Sequence, residues 1–170
     1  MDWQKFDTFL RLYEFANDAE YHYEKLHNKQ IRYVAEDKIF GVIISVDIND
    51  IDSLDKTMTW SMFYRLVPNA SVTAMFNGSI VYRETLQQFY LKYIEYKQLI
   101  AKWEKKLPKE IVNYEHWNQY NKVFPACPRC NKDRLVLDSS KEGYIRLNCT
   151  NCNLAIQYEL IRVARYPIIL

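Results

Sequence analysis

Four cysteines, the only four in the chain, are spaced as Cys127-Pro128-Arg129-Cys130 and Cys149-Thr150-Asn151-Cys152, with eighteen residues between the pairs. A C-x2-C turn brings two thiolates round to one metal ion, and the intervening segment is long enough for a hairpin that returns the second pair to the first. This spacing predicts a tetrahedral four-thiolate site for one zinc ion. Such a site is closed. With sulfur in all four positions nothing is left for water or substrate, so the expected role of the metal is to fold its module, not to catalyse. Pairing of Cys127 with Cys130 is the oxidised alternative.

Catalytic chemistry elsewhere is thinly signalled. Asp47, Asn49, Asp50 and Asp52 follow an apolar run, and a carboxylate at a strand end is where two-metal nucleases hold their first ion. The phrase Val46-Asp47-Ile48-Asn49 resembles the first acidic strand of RNase H-like transposase nucleases, but their later acidic motifs are missing. As a calcium loop the cluster is poor, because Ile51 occupies a ligand position and no bidentate Glu follows. Glu24-Lys25-Leu26-His27 has the Glu-x-x-His spacing of helical di-iron proteins in a single copy, where two are needed. His22 and His116 have no partner at a meaningful spacing. With three glycines, no phosphate-binding loop or nucleophile–base constellation can be assembled. The balance leans away from an enzyme, and a metal-dependent nuclease using Asp47 is the catalytic alternative.

The elements that must position these residues follow from periodicity. Trp3, Phe6, Leu10, Tyr13 and Ala16 predict an amphipathic helix from residue 3 to about 27. Ile39 to Asp47 is a β-branched run of strand length. Asp52-Ser53 offers a cap for a short helix through Trp60, Phe63 and Leu66, which Pro68-Asn69 ends. Asn77-Gly78 between two apolar runs predicts a two-residue hairpin turn, since both positions need positive φ. Glu84 to Lys106 reads as a long helix with Leu86, Phe89, Tyr93, Ile100 and Trp103 on one face. Pro108 breaks it, and Lys109 to Tyr120 reads as a further short helix.

From Phe124 onward the sequence offers a cysteine knuckle, a strand Arg134 to Leu137, a turn at Lys141-Glu142-Gly143, a strand Tyr144 to Asn148, a second knuckle and a strand Leu154 to Val163. This segment resembles a zinc ribbon, a three-stranded module gripping one metal between two knuckles. The resemblance covers the last 47 residues and places the metal ligands on Cys127, Cys130, Cys149 and Cys152. Ribbons commonly carry Gly after each knuckle, where this chain has Asn131 and Asn153. Asn is the best other occupant of the left-handed region, so the same turn is expected. Zinc ribbons are frequent in proteins that touch nucleic acid or the transcription and replication machinery, and others serve as staples or docking platforms. By strand alternation Arg134, Val136, Tyr144, Arg146 and Asn148 share a face, where arginine beside tyrosine suits an unpaired base and its phosphate. Arg129, Lys132, Arg134, Tyr144 and Arg146 are the candidate contacts for nucleic acid or a partner.

Net charge is +2. Lys and Arg number five against eight acidic residues up to residue 37, and seven against four from residue 124. Four thiolates and a divalent ion add minus two to that basic end, which excludes a broad polyanion-attracting field. The longest apolar run, around Phe40 to Val46, is far shorter than the ~20 residues of a membrane helix. The start, Met1-Asp2-Trp3-Gln4-Lys5, lacks a secretory signal's basic-then-apolar order, so an intracellular, cytoplasmic protein is expected. The expected fold is α+β: a domain of amphipathic helices with a small antiparallel sheet over residues 1–123, then a three-stranded zinc ribbon over 124–170. The expected function is a non-enzymatic adaptor or regulator that binds nucleic acid or a transcription or replication complex. A structural or assembly protein stapled by zinc is the alternative.

Overall fold

The computed structural model describes residues 1–49, 58–109, 124–141, 143–161 and 164–170. Two compact units divide the chain at Lys97 and Gln98, well before the boundary at residue 124 read from the sequence. Among the described residues, no helix is long and apolar enough to cross a membrane.

The first unit begins with helix α1, Trp3–Asp18, whose N-cap Asp2 accepts the Lys5 backbone N–H. Its buried stripe is Phe6, Phe9, Leu12, Tyr13 and Ala16. The helix stops nine residues short of expectation because Ala19 is extended and Tyr21 and Tyr23 turn onto the core as parts of an extended segment. Strand β1, His22–Lys25, pairs antiparallel with β2, Gln30–Asp37, through a turn in which Asn28 and Lys29 take positive φ.

The expected strand over Ile39 to Asp47 is displaced in turn. Strand β3 is Val42–Asn49, and Ile39 and Phe40 are exposed at 89% and 67% in the loop before it. Asp37 decides this: its Oδ1 accepts the backbone N–H groups of both Ile39 and Phe40, closing an Asx turn that Gly41 completes at φ 64°. Helix α2, Trp60–Leu66, has Thr59 as N-cap; Asp52 and Ser53 lie outside the described residues. Strands β4, Ser71–Phe76, and β5, Ser79–Thr85, form the expected hairpin, with Asn77 at φ 49° and Gly78 at 79°.

The five strands pair in chain order, β1-β2-β3-β4-β5. Burial alternates strictly along β2 and β3, placing Ile31, Tyr33, Ala35, Val42, Ile44, Val46 and Ile48 on the core side. Helix α3, Leu86–Glu104, starts two residues later than expected. Thr85 and Gln88 cap it reciprocally, Gln88 Oε1 accepting the Thr85 N–H at 3.1 Å and Thr85 Oγ1 accepting the Gln88 N–H at 3.2 Å.

In the second unit, strands β6, Val136–Lys141, β7, Tyr144–Asn148, β8, Ala155–Ile161, and β9, Ala164–Ile169, form an antiparallel sheet in chain order. The first three flank the cysteines as expected, and β9 extends the sheet along β8. Leu135, Ile145, Leu147, Leu154, Ile156 and Tyr158 are buried. A bulge between Leu137 and Ser139 shifts the register of β6 on β7. The short helix read over Lys109 to Tyr120 lies, from residue 110 on, outside the described residues.

Candidate metal centre

Each knuckle is one turn of chain closed by its own backbone. Asn131 N–H donates to the Cys127 carbonyl at 2.9 Å, and Asn153 N–H to that of Cys149 at 3.0 Å. These i+4 closures require the chain to leave in the left-handed region, and Asn131 and Asn153 sit there at φ 55° and 57°, as expected of asparagine in glycine's place. The Cys127 N–H then donates to Asp133 O and the Cys149 N–H to Leu154 O, both at 2.8 Å, tying each knuckle to the segment that follows it.

The two knuckles bring all four sulfurs within 4.8 Å of one another, with Cys127, Cys149 and Cys152 buried and Cys130 half-buried. Sγ atoms of Cys127 and Cys152 are 3.6 Å apart, as are those of Cys130 and Cys149. A tetrahedron of thiolates about 2.3 Å from zinc has edges of about 3.8 Å, so these separations suit a four-sulfur metal site. They are too long for disulfides, whose sulfurs are about 2.05 Å apart. One ion such as zinc fits here, held by sulfur alone.

Burial pushes the Cys127 and Cys152 thiols above the ordinary thiol value. Burial acts the same way on Cys130, but the Lys132 backbone N–H, the Asn151 side chain and the neighbouring thiols outweigh it and bring that group to about 6. Ligation needs thiolates, so Cys127 and Cys152, whose thiols burial favours, must each lose a proton to hold the ion. Zinc loading at pH 7 is expected to release at least about two protons per chain. Calorimetric titrations in buffers of differing ionisation enthalpy measure this, and release below about one proton would contradict the assignment. Affinity should fall as pH falls, because protons compete for the same sulfurs.

No family model, curated protein or solved structure matches the chain. The residues themselves carry the interpretation.

The five candidate contact residues separate. Lys132 and Arg134 are exposed, and Arg134 Nη1 also donates to the Phe124 carbonyl at 2.9 Å. Tyr144 and Arg146 are half-buried on one face of β7. Arg146 Nε lies 3.5 Å from Asp138, and Tyr144 stands opposite Glu159. Arg129 is not on the surface. Only 6% of it is exposed, its Nη1 donates to the Cys152 carbonyl at 3.3 Å, and its guanidinium lies 5.3 Å from the centre of the Trp103 ring. Sequence reasoning missed Trp103 as a neighbour of this centre. It read the residue as one more member of a helical apolar stripe.

Asp47 is also committed. Its two carboxylate oxygens accept from Arg32 Nε at 2.6 Å and Nη2 at 3.0 Å, a bidentate pair across β2 and β3. Asp50 and Asp52 lie outside the described residues. Glu24 is in strand β1 and His27 follows it, so their spacing is not that of a helix face. Among the described residues, the cysteines form the one group of three or more His, Cys, Asp or Glu side chains able to share an ion.

Proposed function

We propose that the second unit is a zinc ribbon and that the protein is a non-enzymatic adaptor or regulator binding nucleic acid or a nucleic-acid-processing complex. The observation that carries this reading is the closure of the centre: four sulfurs within 4.8 Å of one another fill a tetrahedral ion's valences, leaving recognition rather than catalysis for the surface around them. Lys132 and Arg134 are the residues for direct contact with phosphate, and Tyr144 supplies an aromatic edge. The bidentate Arg32–Asp47 pair weighs against the nuclease alternative, because a carboxylate engaged through both oxygens is a poor first ligand for a catalytic ion.

A second reading, zinc purely as a staple for assembly, is favoured by the internal engagement of Arg129 and Arg146. Binding to single-stranded and duplex oligonucleotides across a salt series separates the two. Direct contact predicts measurable affinity at low salt, and Lys132→Ala/Arg134→Ala should lower the slope of log K against log salt by about two. No binding at low salt would eliminate direct nucleic-acid contact and leave protein docking or the staple.

A further inference from the structure

We propose that the outer face of the first unit's sheet holds a binding site for a small monoanionic molecule, a carboxylate joined to a short apolar body. The inference goes beyond the adaptor reading, which places its contacts on the second unit, and its failure leaves that reading untouched.

Residues of α1, α2 and α3 pack against one side of the sheet. On the other side the register puts Arg32, Asp47 and Ser71 in one row across β2, β3 and β4, and Val34, Ser45, Thr73 and Arg83 in the next. The short hydroxyl side chains on β3 and β4 leave the middle of this face low between longer neighbours. A hollow of about 370 Å³ opens there, floored by Ser45, Ser71 and Thr73, within the range of about 300–1,000 Å³ usual for small-molecule sites.

A bulge shapes its apolar end. Between Ala74 and Met75 the register of β4 on β5 slips by one, so that Ala74 faces Tyr82 but Met75 faces Ile80. Ala74 and Tyr82 belong to the core, and in an unbroken ladder Ile80, two residues before Tyr82, would lie on the core side as well. The slip turns it to the outer face, where it lines the hollow with Met75 and stays 50% exposed. Bulges recur beside functional sites because they re-aim side chains in this way. An isoleucine half in water at the lip of a hollow gains by being covered with an apolar group.

The polar end is rich in donors and poor in free acceptors. Asp47 is the one carboxylate among the lining residues, and both its oxygens accept from Arg32. Arg83 is exposed and has no ion pair among the described residues. Its neighbour Glu84 lies on the other side of the strand and accepts the Tyr82 hydroxyl at 2.9 Å. A guanidinium beside three hydroxyls suits an oxyanion, which Arg83 can take through two oxygens.

Charge selects among oxyanions. With Arg32 and Asp47 cancelling, the hollow carries the single positive charge of Arg83, which one carboxylate balances. A phosphate monoester, at about −1.5 to −2, leaves excess negative charge beside Asp47. Glu24 and Glu36 share this face, opposite Arg32 and Ile43, and repel a polyanion laid across it.

Amide chemical shifts of the full chain, titrated separately with butyrate, pentanoate, hexanoate, hexanamide and inorganic phosphate, test this. Hexanoate should give saturable shifts at Ser45, Thr73 and Arg83, with affinity rising about two- to fourfold for each methylene added to butyrate. Hexanamide keeps the body without the charge and should bind at least about tenfold more weakly. Arg83→Gln should weaken hexanoate by a similar factor while the rest of its spectrum matches the wild type, and Ile80→Thr should flatten the dependence on chain length. Absence of saturable shifts at these residues would overturn the proposal. So would equal binding of hexanoate to Arg83→Gln and the wild type, or inorganic phosphate binding as tightly as hexanoate.

Discussion

Removing the metal under reducing conditions is expected to unfold the described part of the second unit while that of the first stays folded. The second unit has roughly 73 residues, a size at which one hydrophobic core rarely supplies more than about 3–5 kcal/mol. Its core is correspondingly modest. Three of its buried side chains are the cysteines themselves, whose packing depends on being drawn to one point. Structural zinc in comparable small modules contributes about 10–16 kcal/mol of apparent binding energy at pH 7, well above what that core can replace. Amide hydrogen exchange reads the outcome by segment. With one zinc per chain, protection should cover Leu135 and the strands β6 to β8; with chelator it should vanish there and persist in β2, β3 and β4. Native protection of β7 and β8 in metal-free protein would show that the cysteines are ornamental. Simultaneous loss in both sheets would show that the two units unfold as one.

The features legible in the sequence were those where a residue type answers a local backbone demand. Asn131 and Asn153 could be placed in the left-handed region because a knuckle must turn there and few side chains tolerate it. Asn77-Gly78 was legible for the same reason. The pattern Thr85-x-x-Gln88 was equally available as a capping signature, but starting the helix at Glu84 passed over it. Where periodicity alone was the guide, competing patterns misled. Tyr21 and Tyr23 continue a helical apolar tally as readily as they alternate along an extended segment, and packing against Phe63 and Tyr33 is what selects the second. Ile39 and Phe40 look like the start of a buried run, yet one carboxylate, Asp37, captures their N–H groups and turns them outward. Strand β2 carries its own period-two signal, Ile31, Tyr33 and Ala35 buried between Arg32, Val34 and Glu36, and the sequence reading passed over it.

Arg129 marks the limit of such reading. Its charge suggested a surface contact, but its burial depends on a carbonyl 23 residues later and an indole 26 residues earlier. No local pattern encodes that coincidence. Asp47 is similar: the sequence shows a carboxylate at the end of an apolar run, and only the pairing of β2 with β3 puts Arg32 across from it.

The aromatic core of the first unit gives the second large effect, Phe89→Ala. Phe89 is fully buried on α3, and its ring meets Phe9 at 4.9 Å and Tyr13 at 5.2 Å from α1, Trp60 at 5.7 Å from α2 and Tyr82 at 4.5 Å from β5. Three helices and an edge strand therefore converge on one side chain. Truncating it removes the burial of a whole ring and leaves a cavity whose walls are mostly flat, stiff aromatics. Such walls cannot bend inward as a leucine or methionine would, so the void should persist and the loss should sit high in the usual range of about 3–5 kcal/mol. Against a typical domain stability of about 5–15 kcal/mol, that is a lowered denaturation midpoint with an unchanged denaturant slope. The damage should be confined to one unit. Zinc content and protection of β7 and β8 should match the wild type while protection in β2 and β3 falls, the reverse of what chelation does. Phe76→Ala, at a ring 39% exposed at the tip of a hairpin, is the matched control and should cost less than about 1 kcal/mol. If the two substitutions cost the same, the ring contacts of Phe89 are not what holds the helices to the sheet, and the stability of this unit must come instead from the aliphatic faces of β2 and β3.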